Sequence, residues 1–574
     1  MSEMRFQKKG IKERLESIYS KEDAQKAYKL INELIDSYSK KIESKPYRLT
    51  QKDVILITYA DQIVSPEEEP LKTLKRFMDN YTKDFINSIH ILPFYPYSSD
   101  DGFSVIDYKD VSPRVGSWDD IKELSKDYNL MFDGVINHIS QYSYWFKAYL
   151  QNDEKYKDFF ISLDPNTDLS KVVRPRDLPL LHEFKDIDNK SRYIWTTFSK
   201  DQVDLNYSNY KVLVAILDVL LFYVMMGARF IRLDAIAFLW KEVSTESIHL
   251  PQTHEIIQLM REVIHKIAPE LVIITETNVP HKENVSYFGS GDDEAQMVYN
   301  FALPPLTAHT LLSSNTKKLK EWVKSLTLPS DKVCFFNFTA SHDGCGLRPV
   351  SEILSEDETQ YLIDFVKENG GFVSYRATGD GKKAPYELNA SYIDIISKQD
   401  EDIELRSQKF MLTQAIKLAM PGVAGIYFHS LVGSVSDIEG VKSTGVLRSI
   451  NRQKFNFDYL VDDIKKEGSL RNLIFNRYKE LLLIRKREDA FDPYSEFEVI
   501  DSSDELFVLN RYKKDSDYGV LTINNFSNMP ICYQLPPFID PKSSIDLISK
   551  SNLEGLSKNL LPYEYIWIKY KRRV

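Results

Sequence analysis

The chain has 574 residues, of which 43% are hydrophobic and 28% are charged, a composition typical of a globular protein. Its net charge of −10 argues against a nucleic-acid partner, because nucleic-acid binding depends on clustered basic residues. No apolar run is long enough to span a membrane, and the N-terminus lacks the apolar core of a secretory signal, so we expect no membrane partner.

Residues 1–50 carry apolar residues at helical spacing, which predicts an N-terminal helical extension. Eight short apolar runs then alternate with longer amphipathic segments. The runs are VILITYA (54–60), SIHILPF (88–94), LMFDGVINH (130–138), ARFIRLDA (228–235), LVIITET (271–277), MVYNFAL (297–303), VCFFNFTASHD (333–343) and GVAGIYF (422–428). Apolar strands separated by helices indicate a parallel sheet that is buried on both faces. Eight such units favour a (β/α)8 TIM barrel, built from residues 51–138 and 206–485, over an open doubly wound sheet.

Two long segments interrupt this alternation. Residues 139–205 follow the third strand and predict an inserted small subdomain, subdomain B, over the mouth of the barrel. Residues 344–405 follow the seventh strand and are rich in glycine, and long loops at this face of a barrel usually carry function. From residue 486 to residue 574 the pattern changes to alternating strands, which predicts a C-terminal antiparallel β-sandwich domain.

Polar residues cluster at the ends of four predicted strands. They are Asp133, Asn137 and His138 on the third strand, Arg232 and Asp234 on the fourth, Glu276 on the fifth, and His342 and Asp343 on the seventh. The carboxyl ends of parallel barrel strands meet at one mouth, so we expect these side chains to form one site. Each cluster by itself could be structural, but four clusters in register favour a functional site.

The chemistry of this set is that of retaining glycoside cleavage. One carboxylate attacks the anomeric carbon, and a second carboxylic acid protonates the leaving oxygen. Arg232 precedes Asp234 by two residues on a strand, so both side chains share a face and the guanidinium is expected to keep Asp234 ionised.

A metal or a nucleotide cofactor is not expected. The chain lacks HxH and HExxH spacings, and no glycine-rich phosphate fingerprint follows a strand and opens a helix. Its three cysteines offer neither a zinc site nor a disulfide framework and favour a reducing compartment, so we expect a cytoplasmic protein.

The motifs DGVINH, GARFIRLDAIA, IITET and FTASHDG, together with QVDLN at 202–206, resemble the signature regions of the α-amylase superfamily, glycoside hydrolase family 13. The resemblance implies that Asp234 is the nucleophile, Glu276 the general acid and base, and Asp343 the residue that stabilises the distorted sugar. It also implies that three further residues contact the glucosyl unit: His138, Arg232 and His342.

A narrower resemblance is to the sucrose phosphorylase-like enzymes of this family. The segment FYPYSSDDGFSVIDY is similar to one in which an acidic residue and an aromatic ring close the glucose pocket, and it implies these roles for Asp100 and Phe103. The segment SINRQKF is similar to one that supplies an arginine to the glucose 4-hydroxyl group, and it implies Arg452.

Other segments are more similar to the glucosylglycerate phosphorylases, namely AIAFLWKE, HLPQTH, RPRDLPLLHEF and SHDGCGLRP. Phe238 stands where sucrose phosphorylases usually carry tyrosine, and Glu387, after Tyr386, stands where they often carry glutamine. Three arginines could supply positive charge to phosphate or to a glycerate carboxylate at the acceptor site: Arg174, Arg176 and Arg348. The alternative for each of them is an ordinary loop salt bridge.

The expected function is therefore that of a hexosyltransferase, a retaining α-glucoside phosphorylase acting on glucosylglycerate and inorganic phosphate without a cofactor. Loops 174–183 and 376–390 are expected to help hold phosphate. The alternatives are a sucrose or sucrose 6′-phosphate phosphorylase, an α-glucoside hydrolase or transglucosidase, and a non-catalytic sugar-binding barrel. A homodimer is compatible with the sequence.

Overall fold

The eight apolar runs form eight parallel strands that close into a barrel in the computed structural model, which describes residues 9–176, 178–377 and 382–572. The barrel strands are β1 (Val54–Thr58), β2 (Ser88–Ile91), β3 (Asn129–Gly134), β4 (Ala228–Leu233), β5 (Val272–Thr275), β6 (Met297–Tyr299), β7 (Cys334–Asn337) and β8 (Val423–Tyr427). Each strand pairs with its neighbours in the chain, and β8 pairs with β1. The predicted (β/α)8 barrel is confirmed.

Helices surround the barrel and cover the outer faces of its strands. The helices are α1 (Ile11–Ile18), α2 (Lys21–Ser39), α3 (Pro70–Phe77), α4 (Trp118–Ser125), α5 (Tyr144–Leu150), α6 (Tyr210–Met225), α7 (Pro251–His265), α8 (His281–Val285), α9 (Leu303–Ser313), α10 (Lys317–Ser325), α11 (Glu356–Glu368), α12 (Tyr392–Ile396), α13 (Ile403–Ala419), α14 (Phe428–Leu431), α15 (Ile438–Thr444), α16 (Phe457–Lys465) and α17 (Leu470–Arg487). Because both faces of the strands are covered, nearly every strand residue is buried, and the runs are continuously apolar.

The pairing of β3 with β4 sets the level of the strand ends at the barrel mouth. Arg232 lies opposite Asp133, and Leu233 lies opposite Gly134. The next strand follows the same register, with Thr275 of β5 opposite Leu233. The residues that follow β4 and β5 therefore leave the barrel side by side.

Residues 139–205 form a small unit with its own sheet above the barrel. Ser162–Leu163, Leu181–Lys185 and Ser191–Trp195 make a three-stranded antiparallel sheet, and Gln202–Asp204 pairs with His138–Ser140 at the barrel mouth. The buried Trp195 packs in a separate small core with three aliphatic residues, Leu169, Val172 and Leu180.

The segment after β7 contains regular structure where the sequence indicated a glycine-rich loop. Phe372–Ala377 and Lys383–Asn389 form an antiparallel hairpin, with Cys345–Gly346 as a third strand. The expected phosphate loop at 376–390 is therefore largely the second strand of this hairpin, and residues 177 and 378–381 of the two expected loops lie outside the described residues. Elsewhere, Ile63–Val64 pairs with Phe455–Asn456.

The C-terminal residues form two antiparallel sheets, which confirms the predicted antiparallel β-sandwich. The larger sheet has six strands, in the spatial order Glu496–Ile500, Leu506–Tyr512, Tyr518–Asn525, Tyr565–Lys571, Ile545–Asp546 and Ser551–Asn552. The smaller sheet pairs Ile531–Gln534 with Ser557–Leu560. One face of the larger sheet joins the barrel core through Phe507 and Trp567, and the other face packs with Tyr533 and Leu560 of the smaller sheet.

The described helices were also compared with the length and apolarity that a membrane span requires. Within residues 9–176, 178–377 and 382–572, no helix is both long and apolar enough to cross a bilayer. The most apolar one, α6, has 16 residues and packs its buried face against the barrel.

The first two helices pack on the outer helices of the barrel through buried polar contacts. Arg14 of α1, with 5% of its side chain exposed, donates to Glu255 of α7 at 2.9 Å and lies 3.8 Å from Glu262. Tyr38 of α2 donates to the carboxylate of Asp218 on α6 at 2.8 Å. The N-terminal helices are thus attached to the segments that lead into β4 and β5.

We expect Arg14→Ala to lower the free energy of unfolding by about 1.5–3 kcal/mol, because α7 loses a buried charge-assisted hydrogen bond. The urea midpoint measures this change. The matched control is Lys12→Ala on the same helix, whose side chain is 59% exposed and lies 4.0 Å from Glu16; it should change stability by less than about 0.5 kcal/mol. Equal midpoints for the two variants would contradict the assignment of Arg14 as the anchor.

Candidate active site

A cleft of about 780 Å³, including its open mouth, lies at the carboxyl ends of the barrel strands. The three predicted catalytic carboxyl groups, of Asp234, Glu276 and Asp343, all line it. So do nine other residues that the sequence indicated: Asp100, Phe103, His138, Arg176, Phe238, His342, Arg348, Tyr386 and Glu387. The structure therefore brings together residues that are more than two hundred positions apart in the chain.

Arg232 lies beneath the cleft, with 2% of its side chain exposed. Its Nη1 atom donates to the carboxylates of both Asp133 and Asp234, at 2.5 and 2.9 Å, and its Nη2 atom lies 3.8 Å from Glu276 Oε2. His90 Nε2 lies 2.7 Å from the other oxygen of Asp133. Asp133 and His90 thus fix the guanidinium, and the guanidinium fixes the two carboxylates above it.

The backbone at the end of β4 orients Asp234 and Glu276 toward each other. The Asp234 amide donates to Gly134 O at 3.1 Å, and the Glu276 amide donates to Leu233 O at 3.1 Å. Ala235 adopts a left-handed conformation with φ 49°, and its amide donates to Glu276 Oε2 at 3.2 Å. A non-glycine residue in this region is strained, and such strain is frequent at functional sites.

Burial is the largest influence on the titration of Asp234 and Glu276. It raises the pKa of Asp234 to about 8 against the opposing effect of Arg232, and the negative charge of Glu276 acts in the same direction as burial. Burial also raises the pKa of Glu276, with Asp343 adding to the effect. The sequence predicted that Arg232 keeps Asp234 ionised, but Arg232 alone does not, because burial outweighs its effect. Instead the two adjacent carboxyl groups can share one proton near neutral pH.

Asp343 is held in the opposite state by two arginines. Burial by itself raises the pKa of Asp343, but Arg448 and His342 outweigh it and hold this pKa far below its usual range. Arg448 Nη1 lies 2.7 Å from Asp343 Oδ1, and Arg452 Nη2 lies 3.6 Å from the same atom. Asp343 is therefore the permanently ionised member of the three carboxyl groups.

Arg448 is a residue of the cleft that the sequence analysis missed. Its Nη2 and Nε atoms donate to the two carboxylate oxygens of Glu387 at 2.7 and 3.2 Å, so that it links Glu387 to Asp343. Arg448 lies four residues before Arg452 in the same segment, but the family resemblance implies only Arg452. Arg452 lies behind the cleft, where it donates to the His342 carbonyl group at 2.8 Å and pairs with Asp101 at 2.5 Å.

One wall of the cleft is the turn that carries Asp100 and Phe103. The Phe103 ring stacks on His342 with centroids 4.8 Å apart, and His138 Nε2 lies 2.9 Å from the Phe103 carbonyl oxygen. Arg176 donates to Asp100 at 2.8 Å. Burial raises the pKa of Asp100, but Arg176 and neighbouring arginines outweigh burial and hold the pKa well below its usual range.

His138 is supported by a buried ion pair. Asn137 Nδ2 lies 3.2 Å from His138 Nδ1 and also donates to Asp204, whose carboxylate pairs with Lys241 at 2.7 Å. Burial lowers the pKa of His138, so the imidazole is neutral. Phe198, which was not predicted, packs between His138 and Phe238, with centroid distances of 5.3 and 5.6 Å.

The three predicted acceptor-site arginines lie in different environments. Arg348 lines the cleft, and its nearest carboxylate among the residues that the structure describes is Glu283, 3.8 Å away. Glu283 is itself 3.1 Å from His249 Nε2. Arg176 lines the cleft but is paired with Asp100, and Arg174 does not line it. Gln202 and Asn278 also line the cleft and were not predicted as site residues, although Gln202 begins the QVDLN motif and Asn278 directly follows IITET.

Comparison with known proteins places this site in context. Residues 79–360 match the model of the α-amylase catalytic domain. The chain is 44% identical to glucosylglycerate phosphorylase of Spirochaeta thermophila over 90% of this chain and 89% of that protein. It is 43% identical to glucosylglycerate phosphorylase of Escherichia coli K12, over 90% and 92%. Among solved structures, sucrose 6F-phosphate phosphorylase from Thermoanaerobacter thermosaccharolyticum superposes with a TM-score of 0.72 at 24% identity, over 83% of this chain and 94% of that chain, which shows the shared fold.

We expect Arg448→Gln to lower the free energy of unfolding by about 3–5 kcal/mol near pH 8, because two buried carboxylates lose their shared cation. Without Arg448 the pKa of Glu387 rises further in the folded state. Folded protein then binds more protons than unfolded protein, so the loss of stability should shrink as the pH falls to about 5.5.

The urea midpoints of the native protein and of Arg448→Gln, each measured near pH 8 and at about pH 5.5, give this difference in stability. The control is Lys324→Gln, which removes an exposed pair with Asp501. The control should cost less than about 1 kcal/mol at either pH. A penalty for Arg448→Gln that is the same at both pH values would contradict the charge argument.

Proposed function

We propose that this chain, which belongs to the α-amylase family, is a retaining α-glucoside phosphorylase that converts 2-O-α-glucosylglycerate and phosphate to α-glucose 1-phosphate and glycerate. The observation that carries the proposal is one cleft in which Asp234 and Glu276 lie beside Arg232, Asp343 lies beside Arg448, and Arg348 has, among the described residues, an ion-pair partner no closer than 3.8 Å. The two glucosylglycerate phosphorylases with which the chain shares more than 40% identity support the choice of donor.

In the first half-reaction, Asp234 attacks the anomeric carbon of the glucosyl unit. The bond from this carbon to the glycerate oxygen breaks as Glu276 gives that oxygen its proton, and a glucosyl ester forms on Asp234. The microstate that reacts has the shared proton on Glu276. Arg232 favours this microstate, because its Nη1 atom is 2.9 Å from Asp234, whereas its Nη2 atom is 3.8 Å from Glu276.

Asp343 stabilises the positive charge that develops on the sugar between the two bonds. Its ionised state is needed throughout, since a neutral carboxylic acid would not stabilise an oxocarbenium-like transition state. Arg448 and Arg452 keep the group ionised and orient it. They therefore act through Asp343.

In the second half-reaction, a phosphate oxygen attacks the anomeric carbon and displaces the Asp234 carboxylate. Glu276, which lost its proton in the first step, accepts the proton of the incoming phosphate group where one is present. Two inversions at the same carbon give net retention, so the product is α-glucose 1-phosphate. Both chemical steps use only side chains and the two substrates.

The glucosyl unit is proposed to lie against Phe103, His138 and His342, with Asp100 as an acceptor for its hydroxyl groups. The turn that bears Asp100 and Phe103 lines the cleft, and we propose that it closes the end of the glucose site. A site closed in this way takes one glucosyl unit at a non-reducing end and excludes longer chains.

Glycerate and phosphate are both anions, and we propose that they use the same guanidinium in turn. Burial lowers the pKa of Arg348, and the nearby positive charge of Arg376 contributes in the same direction. A buried cation close to another cation favours the binding of an anion. Arg348 fits this role better than Arg176, whose charge is already balanced by Asp100 at 2.8 Å.

Phosphorolysis of a panel of glucosides tests the function. Purified protein with phosphate should release α-glucose 1-phosphate from 2-O-α-glucosylglycerate faster than from sucrose or sucrose 6′-phosphate. Asp234→Asn should lower the rate by more than about 1,000-fold. Faster release from sucrose would overturn the acceptor assignment. Free glucose formed at equal rates with and without phosphate would identify a hydrolase instead.

Arg348→Gln should lower kcat/KM for 2-O-α-glucosylglycerate by about 10- to 100-fold, because the glycerate carboxylate loses a charge-assisted hydrogen bond. The uncharged analogue 2-O-α-glucosylglycerol should change by less than about threefold. In a double displacement, kcat/KM of the donor reports only the first half-reaction, so weaker phosphate binding does not enter the comparison. Arg174→Gln, outside the cleft, is the control and should leave both donors unaffected. Equal losses for both donors with Arg348→Gln would contradict a carboxylate contact.

A further inference from the structure

A carboxylate outside the catalytic group collects four serine hydroxyl groups from two separate segments of the chain. Asp201 lies at the end of the 139–205 insertion, and its Oδ2 atom accepts hydrogen bonds from Ser98 at 2.6 Å, from Ser104 at 2.8 Å and from Ser99. Its Oδ1 atom accepts one from Ser140 at 3.2 Å. Hereafter these five residues are the serine cluster.

Backbone contacts reinforce the serine cluster. Ser104 Oγ lies 2.9 Å from the Asp201 carbonyl oxygen as well as 2.8 Å from Oδ2, so the two acceptors share its single hydroxyl hydrogen. The carbonyl oxygen also accepts from the Gln141 amide at 3.1 Å. The Ser140 amide donates to Val105 O at 2.8 Å. Partial burial raises the pKa of Asp201, but the serine hydroxyl groups outweigh it and lower the pKa, so the carboxylate stays ionised and accepts all four bonds.

The serine cluster encloses the turn that forms the wall of the glucose site. Ser98 and Ser104 stand at the two ends of this turn, and the Ser98 amide donates to Ser104 O at 3.1 Å. Between them, Asp100, Asp101 and Gly102 have φ values of 53°, 47° and 112°. Gly102 adopts this region without strain, but Asp100 and Asp101 carry side chains, so their left-handed conformations are strained.

The turn packs closely against the preceding segment of the chain. A Cβ atom on Gly102 would lie 2.5 Å from Pro93 O, so the turn passes close to the neighbouring backbone. A strained turn persists only when its surroundings over-determine it. Besides the 3.1 Å bond from the Phe103 amide to Asp100 O, the polar contacts that surround the turn come from the serine cluster, from the residues of the cleft, and from Arg452, which pairs with Asp101.

We propose that Asp201 is a positioning residue for the glucosyl unit, because it holds the strained turn that presents Asp100 and the Phe103 ring to the cleft. The inference rests on the proposed function in so far as the ligand of this wall is a glucosyl group. Loss of the carboxylate removes its bonds to Ser98, Ser99 and Ser104, whereas the contact of Ser104 with the Asp201 carbonyl oxygen remains. The turn then relaxes toward ordinary backbone angles, and Phe103 moves from the face of His342.

The wall contacts the glucosyl unit equally before and during the reaction, so its displacement removes uniform binding. Asp201→Ala should therefore raise KM for the donor, and the dissociation constant of glucose measured by calorimetry, on the order of tenfold, with kcat changed by less than about threefold. A looser wall also admits water, so the fraction of glucosyl groups released as free glucose in the presence of phosphate should rise. Asp201→Asn keeps one acceptor oxygen and should fall between Asp201→Ala and the native protein.

The matched control is Asp186→Ala in the same insertion. Asp186 accepts from the amides of Asp188 and Lys190 at 3.0 and 2.9 Å and from Arg192 at 3.1 Å, and it does not line the cleft. Its removal should lower thermal stability while KM and the hydrolysed fraction stay at native values.

Three results would overturn the inference. The first is an unchanged KM and glucose affinity in Asp201→Ala, and the second is an equal change in these two quantities in Asp186→Ala. The third is an Asp201→Asn variant that loses stability as Asp201→Ala does but keeps the native KM and glucose affinity. Native protein that binds glucose but forms no α-glucose 1-phosphate would refute the proposed function, and the glucose affinities of the variants would still decide the role of Asp201.

Discussion

The guanidinium of Arg232 is buried at the mouth of the barrel, and the arrangement of the carboxyl groups around it depends on this charge. A buried cation is costly unless anions compensate it. Asp133 lies opposite it in the paired strand, Asp234 follows it by two residues, and Glu276 leaves the next strand at the same level. One cation therefore holds several carboxyl groups close together, and their proximity and burial allow Asp234 and Glu276 to share a proton.

A second buried guanidinium divides the remaining carboxyl groups by charge state. Arg448 binds Glu387 through two hydrogen bonds and also lies 2.7 Å from Asp343. Arg448 lies much closer to Asp343 than Arg232 lies to Glu276. Asp343 therefore stays ionised, while Glu276 can be protonated. Two arginines thus assign different tasks to carboxyl groups of the same kind in one cleft.

The sequence predicted the barrel and most of the cleft, and the parts it missed share a physical cause. Asp234 and Glu276 directly follow apolar strands, and parallel strands end at one mouth, so periodicity alone places them together. Arg448 comes from a turn beyond the last barrel strand, and nothing in the periodicity of the chain indicates which of two arginines there faces inward. The titration of Asp234 also escaped prediction, since Arg232 is visible in the sequence but the extent of burial is not.

The chemistry of the proposed reaction and its selectivity depend on different parts of the chain. Backbone hydrogen bonds between barrel strands fix Asp234 and Glu276, whereas Arg176 and Arg348 belong to the insertion and to the segment after β7. Those segments can change without moving the carboxyl groups. In the proposed second half-reaction, water is neutral and phosphate is an anion, so a buried guanidinium near the glucosyl ester favours phosphate electrostatically. In this proposal, the preference for phosphate over water resides in loop residues that no carboxylate motif can indicate.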